Sequence, residues 1–405
     1  MAWARAGIVL AAAALAAGLV ISGGTSADPP APRGFPGVLP AFMVGPAGAG
    51  LRSRHDLRAA AERDRRWLER AKPLGEAAPG WARRLYRRSL LVLRGLVDRN
   101  GAAVAGARPG WAYVWPRDAG AVAIALASAG YRAKARRIAR FLLGLDLGAA
   151  ARFYRGGEPV EGRSAQGDAS GWVAAAARAA GIRRTEDVKS NTRPASDPHL
   201  GLDAGRVHDR ADYQEGDAGD YLGNALAAAF AAGHEVGTRG VRADGTARRF
   251  GTARGLVRVA GDPASGLDTS AAWAVRPFAR PALYPAARRT LLRLVAERGT
   301  RFGIVPSEGW HGGGDPWTAP TAWCAWSLAA LWRIDRRAGR QHAAETDRGA
   351  ALSLMADLRR AATPQGLLPE RVDAQTGAPA STTPLAWSHA FAILAIRELW
   401  PRAQR

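Results

Sequence analysis

From about Trp81 to Trp400 the chain repeats one pattern: apolar residues return every three or four positions, and Gly or Pro interrupts the runs. That spacing predicts helices over 82–98, 117–130, 132–145, 167–180, 216–233, 265–277, 284–297, 318–337, 345–361 and 385–398. A charged stretch, 51–71, has the same spacing and is expected on the surface of the main body. Only 236–264 breaks the rhythm: Gly, Arg and β-branched residues around Asp244-Gly245 suggest a hairpin inserted between helices. The expectation is an all-α body of about ten to twelve helices, paired into one closed unit. Length alone, 405 residues, would have allowed two or three domains.

The N-terminal 80 residues read differently. Ala6 to Gly24 carry no charge, and Thr25-Ser26-Ala27 place small residues where a signal peptidase cuts. Residues 1–27 are therefore a signal peptide or an N-terminal membrane anchor, with the body outside the cytoplasm, secreted or membrane-anchored. Crowded Pro, Gly and Ala make 28–50 a linker. Residues 51–80 form a peripheral helical segment, and 81–405 form the main domain.

Composition narrows the chemistry. Cys324 is the lone cysteine and the seven histidines contain no HExxH, so no disulfide framework, metal site or cofactor is expected. Two acids, Asp217 and Asp220, fall short of the six to eight ligands of a calcium site. The net charge of +22 comes almost wholly from arginine, with lysine only at Lys72, Lys134 and Lys189. These arginines recur along the whole chain instead of clustering with aromatics, so no nucleic-acid partner is expected. Loose association with an anionic cell envelope suits the charge better, and the protein is expected to be a monomer or weak oligomer.

Nine of the fourteen tryptophans fall into two groups. Trp172, Trp323, Trp326 and Trp332 sit on helix faces and read as core. Trp111, Trp115, Trp310, Trp317 and Trp387 stand beside Gly, Pro or charge, as in clefts where a pyranose stacks on an indole. Around them lie four segments with chemistry: Trp111-Ala-Tyr113-Val-Trp115-Pro-Arg117-Asp118, Asp212-Tyr213-Gln214-Glu215, Gly312-Gly313-Gly314-Asp315-Pro316-Trp317, and Gly366-Leu-Leu-Pro369-Glu370 followed by Pro384-Leu-Ala-Trp387-Ser388-His389. Taken singly, Asp118 reads as a helix cap and each glutamate as a solvated loop carboxylate.

In this order and spacing the four segments resemble glycoside hydrolase family 15, the glucoamylase, glucodextranase and isomaltose glucohydrolase-like family, across residues 85 to 395. The resemblance implies an (α/α)6 barrel with its site at one end. It also implies inverting release of glucose from the non-reducing end of α-1,4- or α-1,6-linked gluco-oligosaccharides. By position, Glu215 corresponds to the general acid and Glu370 to the general base, which must be ionised. Ser388 corresponds to a residue that hydrogen-bonds and orients the base, with Trp387 and His389 beside it as supporting residues. Arg117 and Asp118 correspond to the pair that clamps the terminal sugar, Trp115, Trp317 and Trp111 to aromatic walls, and Gln166 and Asp168 to a polar rim.

The chain departs from the family at three places. Gln214 stands where a tryptophan usually flanks the acid, and Trp111 where a tyrosine often holds the water. No arginine occurs in Ile304-Val-Pro-Ser-Glu308, where the family places one that selects the second sugar. Trehalase-type activity on the same barrel is the nearest alternative. A catalytically degenerate glycan-binding protein and an envelope scaffold are the alternatives of other classes.

Overall fold

The computed structural model describes residues 54–163, 165–182, 221–235, 243–310 and 313–402. The expected signal or anchor segment, the linker and Asp212 to Asp220, with Gln214 and Glu215, lie outside the described residues. Eleven α-helices are described: α1 (Arg54–Glu69), α2 (Gly80–Leu96), α3 (Pro116–Ser128), α4 (Arg132–Leu143), α5 (Ala169–Ala179), α6 (Leu222–Glu235), α7 (Ala243–Phe250), α8 (Tyr284–Arg298), α9 (Thr318–Arg337), α10 (Gln341–Ala361) and α11 (Ala386–Leu399). Two antiparallel pairs accompany them, β1 (Val257–Val259) with β2 (Asp262–Leu267) and β3 (Gly299–Thr300) with β4 (Gly303–Ile304). None of the described helices is long and apolar enough to cross a membrane.

Side-chain polarity separates two layers. Helix α3 is buried from Pro116 through Leu126, α9 from Thr318 through Leu331, and α11 from Ala386 through Ile396. A helix buried on every side belongs inside a second layer. By contrast α4 buries only Ala135, Ile138, Ala139, Leu142 and Leu143 and turns its arginines to solvent. The inner elements are α3, α5, α6, a short 3₁₀ helix Thr269–Ala274, α9 and α11; each packs on the next, and α11 packs back on α3. Outside them, α2 packs on α11, α4 on α3 and α5, α7 on α6, α8 on the 3₁₀ helix and α9, and α10 on α9. The all-α expectation is met, as inner and outer helices in alternation.

Of the tryptophans read as core, Trp172, Trp323 and Trp326 are buried, while Trp332 is only partly buried against the core. Trp172 of α5 meets Trp273 of the 3₁₀ helix edge-on at 5.1 Å, and Trp273 meets Trp323 of α9 at 5.3 Å. Trp323 in turn meets Phe391 of α11 at 5.4 Å. Between the inner helices small residues permit close approach. A methyl on Gly171 would lie 2.3 Å from the Ala227 carbonyl oxygen of α6. Gly171→Ala is therefore expected to cost about 1–3 kcal/mol of stability by forcing α5 and α6 apart, measurable as a lower urea midpoint.

Two local expectations are corrected. The Asp244-Gly245 pair does not turn a hairpin; it lies in the first turn of α7. The hairpin lies further on, β1 to β2, turning at Ala260-Gly261, where Gly261 takes a φ of +70°. Likewise the helix expected over 265–277 is reduced to the 3₁₀ helix, because Gly266 (φ +74°) ends β2 just before it and Pro277 closes the run.

Candidate active site

The N-terminal ends of the inner elements gather at one mouth of the ring. Trp115 is extended and Pro116 occupies the first helical turn of α3, a position that needs no N–H, so Arg117 and Asp118 project from that turn. Asp168 precedes α5, Asp268 caps the 3₁₀ helix, Trp317 precedes α9, and Leu385 precedes α11. Trp111, Trp115, Arg117, Asp118, Trp317, Glu370, Leu385 and Trp387 line a cleft of about 340 Å³ there, its open mouth included. Residues from three of the four segments thus meet, the Trp-x-Arg-Asp segment, Trp317 and the segment of Glu370 and Trp387; the second segment lies outside the described residues.

Arg117 is the hub. Its guanidinium donates to Asp168 Oδ2 at 2.9 Å, lies 3.8 Å from Asp118 Oδ2, and stacks over the Trp387 ring at 4.7 Å. Asp168 is fully buried and holds Arg117; neither it nor the buried Gln166 lines the cleft. Trp111 and Trp115 lie 5.9 Å apart at 33°. The indole N–H groups of Trp317 and Trp387 are buried and have no hydrogen-bond partner among the described residues. Trp387 is the second residue of α11, within the helix expected over 385–398.

Glu370 sits in a loop sewn to the start of α9. Its N–H donates to the Thr382 carbonyl at 3.0 Å, and its own carbonyl accepts from Thr318 N–H at 2.9 Å. Ser381 Oγ donates to the Glu370 carboxylate. Ser388 does not: its hydroxyl is 2.7 Å from Thr318 Oγ1, which donates to the Pro369 carbonyl. The residue expected to orient the carboxylate therefore braces the backbone behind it, and Ser381 takes the direct role. His389 braces the same loop. Its Nε2 accepts from Leu368 N–H at 3.0 Å and its Nδ1 lies 2.9 Å from Ser89 Oγ. Burial pushes its pKa down to about 3, so the imidazole stays neutral.

Two carboxyls in the cleft are shifted upward. Burial pushes Asp118 to about 7, with Arg117 opposing and the charge of Asp168 adding to the rise. Burial likewise pushes Glu370 to about 7, the Ser381 hydrogen bond opposing and Asp118 adding. A base at this position is thus about half ionised near neutral pH and becomes fully ionised only as the pH rises further. Ser381→Ala removes a bond that lowers the Glu370 pKa. It is expected to move the acid limb of the kcat/KM profile up by about one pH unit, with a larger loss at pH 6 than at pH 8.

Sequence reading missed Ser381, Thr318 and Asp268. Asp268-Thr-Ser270 did carry a signal, an N-cap aspartate whose side chain accepts from Ser270 N–H at 2.7 Å. Ser381 carried none, because its partner is defined only by the course of the loop.

No protein-family profile matches the chain, and no curated protein matches it in sequence. Solved structures place its fold among the glycosidases. One, a wild-type glycosidase, superposes with a TM-score of 0.60 at 21% identity, over 79% of this chain and 97% of its own. A glucoamylase from Saccharomycopsis fibuligera gives 0.60 at 13% identity, over 81% and 97%. A bacterial glucoamylase complexed with acarbose gives 0.60 at 16%, over 87% and 60%. At these identities the likeness establishes the fold, an (α/α)6 barrel of the glucoamylase type.

Proposed function

We propose that the protein is a glycoside hydrolase: an exported, inverting, exo-acting α-glucosidase that releases glucose from the non-reducing end of α-1,4- or α-1,6-gluco-oligosaccharides. One observation carries the reading. Glu370 is buried in a cleft walled by tryptophans and an arginine–aspartate clamp, at the N-terminal mouth of a glucoamylase-type barrel. Similar structures are consistent with the substrate class, since one glycosidase variant is a complex with glucose and the bacterial glucoamylase is a complex with acarbose.

In this mechanism the terminal glucose stacks between the indoles, while Arg117 and Asp118 take its hydroxyls. Ionised Glu370 removes a proton from a water on one face of the sugar, and the water oxygen bonds to the anomeric carbon. Glu215 gives its proton to the departing glycosidic oxygen on the other face. The products are β-glucose and the shortened sugar; Glu370 ends protonated and Glu215 ionised, and exchange with solvent restores both. Inversion requires the two carboxyls about 6.5–9.5 Å apart, room enough for the water.

Export rests on the N-terminal sequence, and its uncharged run acts as signal or anchor. Envelope association is assigned to the arginines; Arg63, Arg66, Arg70 and Arg94 line one hollow against α1 and α2. Proton NMR of maltose and isomaltose digests tests the reaction. Glucose is expected first as the β-anomer. Early α-glucose overturns inversion, and binding of either sugar without release, with trehalose also untouched, overturns the enzyme.

A further inference from the structure

We propose that Arg258, on β1, together with Trp310 binds the sugar on the leaving-group side of the scissile bond, and so selects which second sugar the enzyme accepts. The inference rests on the glycosidase reading above and assigns a specificity residue within it.

The mouth of the ring carries the same grouping twice. In the first, Asp168 before α5 pairs with Arg117, whose guanidinium covers the Trp387 ring. In the second, Asp268 caps the 3₁₀ helix, its Oδ2 lies 4.0 Å from Arg258 Nε, and the Arg258 guanidinium stands 5.8 Å from the Trp310 ring centroid and 5.2 Å from that of Tyr221. The two differ in one respect. Arg117 is fastened to its aspartate at 2.9 Å, whereas Arg258, its Nε 4.0 Å from Asp268 Oδ2, is too far for a hydrogen bond. A guanidinium positioned by aromatic faces, with 12% of its side chain exposed, has donors left for a ligand.

Its location fits the second sugar. Trp310 meets Trp317 edge-on at 5.2 Å, and Trp317 lines the cleft that holds Glu370. Arg258 therefore stands one ring beyond the wall of the first site. The hairpin that carries it is pinned in place, because Val259 bridges to Tyr221 and Leu267 N–H donates to Glu308 at 2.8 Å, two residues from Trp310.

The chemistry also narrows the ligand. Asp268 balances the charge of Arg258, so the pair suits a neutral polyol, whose hydroxyls accept from the guanidinium, better than a phosphate or a uronate.

The test compares maltose and isomaltose with α-glucosyl fluoride, which has no second sugar. Arg258→Ala is expected to lower the ratio of kcat/KM for disaccharide over fluoride by about 10- to 100-fold, the range of a charge-assisted hydrogen bond. Arg258→Lys, which keeps the charge without the fork, is expected to fall between. A ratio unchanged in both variants overturns the proposal, because a purely structural residue lowers both substrates together. If the unaltered protein fails to hydrolyse the fluoride, the glycosidase reading itself falls, and this inference with it.

Discussion

Glu370→Gln is expected to abolish glucose release and, at alkaline pH, to make the protein more stable. Loss of a general base costs about 10²- to 10⁴-fold in rate, and Gln cannot take a proton from water at any pH. The stability effect follows from burial. The Glu370 carboxyl is pushed from its ordinary 4.5 up to about 7 in the folded protein. The folded state thus holds the proton more tightly than the unfolded chain. The stability that this confers is full below about 4.5 and is lost as pH rises through about 7, where a buried carboxylate must ionise. Gln carries no such penalty, so the variant gains on the order of 2 kcal/mol at pH 8.5 relative to wild type and little at pH 4.5. Urea denaturation of both proteins at the two pH values measures the difference. An equal difference at both would show that Glu370 does not titrate between them.

Arg117→Leu is expected to damage stability and activity together. The guanidinium lies between Asp118 and Asp168, both buried, and stacks on Trp387. Its removal leaves two carboxylates without their cation, at a cost of about 3–5 kcal/mol. Arg117 also holds the Asp118 pKa down, so its loss raises that pKa further. The cost should therefore shrink at pH 5, where Asp118 is protonated, and be greatest at pH 8. Hydrolysis should fall by about 10² or more through lost orientation of the terminal sugar. Arg117→Lys should keep part of the stability but not the activity, since a lysine ammonium cannot fork between a carboxylate and a sugar hydroxyl while covering an indole. Thermal melts at the two pH values and steady-state kinetics on maltose read these effects.

Most helices were legible because helix formation is recorded locally, in apolar spacing and in flanking Gly and Pro. Residues 318–337 were bounded as they occur, and 132–145 ran two residues past α4. The failures came where two local signals competed. Asp244-Gly245 satisfies both a turn and a helix start, and the helix won because the following Ala-Arg-Arg-Phe places Phe250 in the core. Residues 265–277 have helical composition, yet a positive-φ glycine and a proline left room only for a 3₁₀ helix.

The candidate site was legible in the same way and to the same depth. Trp115, Arg117, Asp118, Trp317 and Trp387 could be named because they fall in ordered motifs at the starts of helices, which the ring exposes at one mouth, and Glu370 because its motif follows in order, in the loop joined to the start of α9. The sequence by itself thus determined the helical class and which carboxylates and indoles are available. Only the tertiary structure decided that Ser381 and not Ser388 meets Glu370, that His389 is a neutral brace, and that Asp168 fastens Arg117 instead of facing the cleft. It also decided that Asp118 and Glu370 are pushed to about 7. The physical reason is range. Helix signals act over a few residues, but the partner of a hydroxyl and the solvation of a carboxyl depend on chain segments far apart in sequence, brought together only when the ring packs.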